Sequence, residues 1–95
     1  ACVFGGNFDK DLKGAIRNEF QYTVQLVKAE LTIGQWKKQP PSTISESSQY
    51  HSFFEAVGDQ GSAGHLSYQS DNGFAHIDFY WVDVPNNQTF WAKVG

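Results

Sequence analysis

Residues 65–81 read His65-Leu66-Ser67-Tyr68-Gln69-Ser70-Asp71-Asn72-Gly73-Phe74-Ala75-His76-Ile77-Asp78-Phe79-Tyr80-Trp81. Leu66 and Tyr68 alternate with polar neighbours, as they do along a half-buried strand. Asp71-Asn72-Gly73 is a hairpin turn, because Asn-Gly tolerates positive φ. Beyond it the period of two resumes, with Ala75, Ile77, Phe79 and Trp81 on one face and His76, Asp78 and Tyr80 on the other. A strand, a tight turn and a second strand in 17 residues predict an antiparallel β fold.

The same alternation extends outward. Phe20, Tyr22, Val24 and Leu26 form one strand, and Ala29, Leu31 and Ile33 a second that ends near Trp36. Lys37 to Ser42 is a loop, because Pro40-Pro41 cannot sit inside a ladder. Thr43-Ile44 resumes extended chain. Tyr50 to Val57 is a third strand with Phe53 and Phe54 on opposite faces, followed by a Gly-rich loop at 58–64. Past the hairpin, Val84-Pro85-Asn86-Asn87 turns into a last strand over 89–94, with Phe90, Ala92 and Val94 opposite Trp91 and Lys93. The N-terminus reads differently. Residues 1–6 are a flexible arm, and Asn7 or Asp9 caps a helix over 7–17. Phe8, Leu12, Ala15 and Ile16 share one face of that helix, and Gly14 weakens it by about 1 kcal/mol against Ala. The expectation is one domain over 1–95, an all-β antiparallel sandwich of about six strands with a short N-terminal helix.

Composition narrows the function. The 95 residues are 16% aromatic, with three Trp, four Tyr, eight Phe and no Met. So much aromatic surface predicts that some of it faces outward. The net charge is -3, and Lys37-Lys38 is the single adjacent basic pair. Phosphate-backbone binding needs a cluster of Lys and Arg, so nucleic acid is not expected as a partner. With one cysteine, Cys2, no intrachain disulfide forms, and the thiol is a route to pairing with another chain in a homo-oligomer. The start at Ala1 suggests removal of an initiator Met or of a signal or pro-segment, and with the sequon at Asn87-Gln88-Thr89 the expectation is a secreted, extracellular protein with Asn87 as the glycosylation candidate.

Signs of chemistry are few. His51, His65 and His76 lack metal-ligand spacing, so no metal or other cofactor is expected. His76 and Asp78 share a strand face about 7 Å apart and are the acid/base candidates for catalysis. Two polar residues on the solvent face of an amphipathic strand fit the same description. No Gly-x-Ser-x-Gly elbow or phosphate loop accompanies them. A binding protein is therefore expected rather than an enzyme. The densest cluster is C-terminal, where Phe79-Tyr80-Trp81 leads into Pro85-Asn86-Asn87 and Phe90-Trp91 follows.

The order Gly64-His65-Leu66-Ser67-Tyr68, Asp71-Asn72-Gly73, Ile77 to Trp81, Val84-Pro85 and Phe90-Trp91 resembles the second half of actinoporin-like cytolysins. Fungal fruit-body lectins share that sandwich. Trp36, Gly61-Ser62-Ala63-Gly64 and Tyr80-Trp81 are similar to the pattern of aegerolysins. These resemblances imply a membrane-lipid-binding protein, a cytolysin-like subunit. Tyr80, Trp81, Phe90 and Trp91 would bury aromatic surface among the headgroups, oriented by the Pro85 turn. A lectin is the alternative, with an aromatic ring stacked on a sugar and Asn86, Asn87, Gln88 or Asp83 bonding its hydroxyls. A protein-interaction, inhibitor or effector domain is a third.

Overall fold

The computed structural model describes residues 2–8, 11–47 and 52–94. They form nine strands and no helix: β1 Cys2–Phe8, β2 Asp11–Asn18, β3 Val24–Ile33, β4 Gln35–Lys38, β5 Thr43–Ile44, β6 Ser52–Val57, β7 Ser62–Ser70, β8 His76–Val84 and β9 Asn87–Val94. Two antiparallel sheets have the orders β1-β2-β6-β4 and β5-β3-β7-β8-β9. The all-β expectation holds. The count of about six strands and the N-terminal helix do not. Asp9, Tyr50 and His51, read above as a helix cap and the start of the third strand, lie outside the described residues.

Where the helix over 7–17 and the arm over 1–6 were expected, β1 and β2 pair as a hairpin from Cys2 opposite Asn18 to Phe8 opposite Leu12. Leu12 and Ile16 stand four apart, a spacing that suits a helix face and a strand face equally. Gly14 decides between them. It faces Phe54 across the β2–β6 ladder. A Cβ at Gly14 would fall within 2.8 Å of three Phe54 ring carbons. The ring occupies the space a side chain would need, so the residue that weakens a helix is required by the strand.

The two expected strands over 20–36 are largely one. The apolar phase changes from even positions (Val24, Leu26) to odd (Ala29, Leu31) without a turn. The pairing explains this: Leu26 faces Tyr68 and Lys28 faces Ser67, so Val27 is the extra residue of a β-bulge. Past the bulge the side chains of β3 exchange faces, as far as a second register shift between Leu31 and Ile33.

Between the sheets lie Leu12, Ile16, Phe54 and Ala56 of the first and Val24, Ile44, Leu66, Tyr68, Ile77, Phe79 and Trp81 of the second. An aromatic cluster fills the middle. The Phe54 ring centroid lies 6.0 Å from Trp36 and 5.4 Å from Trp81. Two buried polar groups are satisfied locally. Trp81 Nε1 donates to Ser62 Oγ at 3.2 Å, and the Tyr68 hydroxyl donates to the Pro41 carbonyl at 2.7 Å. Burial pushes the Tyr68 phenol pKa up.

Candidate functional site

The expected C-terminal aromatic site is divided among three places. Trp81 is 1% exposed and belongs to the core, so it meets no ligand. Phe90 and Trp91 are both exposed, but as neighbours in β9 they point to opposite faces. Pro85, Asn86 and Asn87 form the β8–β9 turn and its exit, at the end of the sheet away from the Asn72-Gly73 hairpin. Asn86 takes the positive φ there, at 72°. Asp83, offered above for a sugar hydroxyl, is buried. Asn87 is exposed, and Thr89 Oγ1 donates to its side-chain oxygen at 2.9 Å.

The outer face of the five-stranded sheet joins residues the sequence kept apart. His65, Tyr80 and Trp91 stand opposite one another on β7, β8 and β9. Their rings stack almost parallel, with centroids 4.2 Å and then 5.3 Å apart. One row along, Asp78 sits among donors. His65 Nε2 lies 2.8 Å from Asp78 Oδ1, and His76 Nε2 lies 3.5 Å from Oδ2. Ser67 Oγ contacts the same His76 nitrogen at 3.1 Å. Partial burial raises the Asp78 pKa. Hydrogen bonds from His65 and Ser67, with the charge of both imidazoles, outweigh that and hold it below the usual carboxylate value.

Ser67, His76 and Asp78 resemble a nucleophile, base and carboxylate in composition only. In a working relay the serine meets one imidazole nitrogen while the carboxylate orients the other. Here both partners address Nε2, and Ser67 also hydrogen-bonds Asp78. The group ties β7 to β8. Among the described residues, no cluster of three His, Cys, Asp or Glu could hold a metal ion.

A second site lies at the hairpin end and joins three segments distant in sequence. Asn18 closes β2 and is fully buried. Its Nδ2 donates to the Tyr22 carbonyl at 2.9 Å and the Ile44 carbonyl at 3.1 Å, and its Oδ1 accepts from Phe20 N at 2.9 Å. One amide thus fixes the 19–23 loop against β5. Ser47 N donates to the Phe20 carbonyl at 2.9 Å, drawing the 45–47 turn onto the same loop. The hairpin is held by Ser70 Oγ, which donates to Asn72 Oδ1 at 2.7 Å and accepts from Ala75 N at 3.0 Å.

Between these segments opens a cleft of about 290 Å³. Gln21, Tyr22, Thr23 and Glu46 line one side, and Ser70, Asp71 and Asn72 the other. Among the described residues, two acidic ones, Glu46 and Asp71, line it and no Lys or Arg does. Beside it stands Phe74, 77% exposed, which meets the Tyr22 ring edge-on at 6.0 Å. In the sequence Phe74 directly follows the Asn72-Gly73 turn, where the alternation of the next strand resumes. It belongs to the turn, and β8 begins at His76. An apolar ring directly after Asn-Gly was the one local sign of this site, because turn positions are usually polar.

Comparisons with protein-family models, with curated proteins and with solved structures found no match.

Proposed function

We propose that the protein binds the surface of a membrane through its hairpin end, with Phe74 in the interface and a lipid headgroup in the neighbouring cleft. The observation that carries this reading is the pairing of a nearly bare phenylalanine with an acid-lined, headgroup-sized cleft. Burying a Phe side chain is worth about 1.5–3 kcal/mol. Glu46 and Asp71 favour a cationic group, and the Tyr22 ring can face a quaternary ammonium. The net charge of -3 works against anionic lipids. The preferred surface is therefore zwitterionic, with choline or ethanolamine headgroups, such as a secreted protein meets. The sequence resemblance to cytolysins points the same way, with Phe74 in place of the buried Trp81 as the aromatic contact.

Co-sedimentation with phosphatidylcholine and sphingomyelin vesicles tests the reading. Phe74→Ser should weaken binding by about 10-fold to 100-fold, the equivalent of one buried ring. Binding that is absent on every zwitterionic vesicle, or indifferent to Phe74→Ser, would remove it. The lectin reading keeps one supporting observation, since an aromatic ring among Gln21, Asp71 and Asn72 also suits a sugar. Free saccharide that binds the protein without lipid would favour it.

A further inference from the structure

β9 is an edge of the five-stranded sheet, and all eight of its residues are exposed. Natural edges are usually blunted by proline, inward-pointing charge or bulges. β9 has no proline, pairs with β8 without a register shift, and bears a single charge, Lys93. On its outer face the three-ring stack of His65, Tyr80 and Trp91 ends at the strand edge. Trp91 is 47% exposed, and among the described residues no strand lies beyond it.

We propose that β9 pairs antiparallel with β9 of a second copy, about a two-fold axis through Trp91, joining the two stacks into one of six rings. The spacing supports this. Rings on neighbouring strands stack at 4.2 Å and 5.3 Å within the chain. An added strand would place a side chain opposite Trp91 at the same interval, about 4.8 Å. Symmetry then selects the occupant. A two-fold perpendicular to the sheet keeps outward residues outward, so only alternate registers are permitted.

The register centred on Trp91 sets indole against indole, Thr89 against Lys93 and Phe90 against Ala92. It leaves the two Lys93 ammonium groups about 13 Å apart along the strands, beyond the roughly 8 Å screening length of physiological salt. The register centred on Phe90 puts Trp91 against Thr89, and the one centred on Ala92 puts it against Lys93. Neither extends the stack. One eight-residue edge buries less than the roughly 800 Å² per partner of a stable complex. The dimer is therefore weak, half-formed at roughly tens to hundreds of micromolar.

Sedimentation equilibrium of the whole chain from about 5 to about 500 μM tests the proposal, with far-UV circular dichroism confirming that each variant keeps its strands. The wild type should shift from monomer to dimer across that range. Trp91→Thr, a good strand residue, should weaken association about 10-fold or more. Thr89 faces Lys93 of the other copy only in the proposed register. Thr89→Glu should therefore tighten the dimer and Thr89→Lys loosen it, each several-fold and less so in high salt. A chain still monomeric at the top concentration overturns the proposal. So does a dimer that ignores the two Thr89 variants. Vesicle binding through Phe74 uses a separate surface, so either result leaves that reading to its own test.

Discussion

Gly14→Ala distinguishes a helix from the observed strand by the sign of its effect. In an exposed helix the substitution stabilises by about 1 kcal/mol, because glycine loses more chain entropy on folding. In β2 the new methyl would meet three carbons of the Phe54 ring within 2.8 Å. The ring has little freedom to retreat, since Phe54 is fully buried with Trp36 and Trp81 about it. Overpacking of this kind typically costs about 1–3 kcal/mol. At about 4–8 °C per kcal/mol for a chain of this size, the melting temperature should fall by about 4–24 °C. Thermal denaturation followed at 215–220 nm measures the shift. Phe54→Leu costs stability alone but makes room for the methyl, so the double variant should lose less than the two single losses together. An unchanged or raised melting temperature for Gly14→Ala would refute the packing described for β2 and β6.

Trp81→Phe should destabilise by about 1–3 kcal/mol in urea unfolding, because it leaves the buried Ser62 hydroxyl without its indole donor and opens a cavity. Asn18→Ala removes three hydrogen bonds at a buried amide and should cost about 2–4 kcal/mol. It should also raise amide exchange across 19–23 and 44–47, which a loss of packing alone would not localise. Asp78 has a lowered pKa in the folded chain, so its stabilising effect is fully present above the unfolded value near 3.8 and is lost as pH falls through the folded value. Asp78→Asn should accordingly be less stable than wild type at neutral pH. The gap should narrow below about pH 4, as paired urea titrations would record.

Most of the second sheet was legible in the sequence because its signal is local. Alternation from His65 to Trp81 assigned each side chain to one of two faces. It could not say which face is the core, since both carry aromatics, and Trp81 was therefore expected at the surface. The N-terminal hairpin was obscured because a spacing of four satisfies both periods and because the Gly5-Gly6 pair inside β1 reads as a flexible arm. The change of phase at Val27 read as two strands because a bulge and a turn disturb alternation alike. The cleft was the least legible feature. Tyr22, Glu46 and Asp71 come from segments about 25 residues apart and are brought together by the Asn18 amide, the Ser47–Phe20 backbone bond and the hairpin, which no local pattern announces.

The proposed mode of membrane contact is tested most directly by placing a reporter where the interface should be. Phe74→Trp adds an indole at the exposed tip of the hairpin end, and the wild-type chain supplies the background of the three native tryptophans. On phosphatidylcholine vesicles the extra emission should shift to the blue, and lipids brominated near the headgroup should quench it. An indole at position 74 that keeps the emission of water and resists quenching while the protein is bound to vesicles would contradict the account.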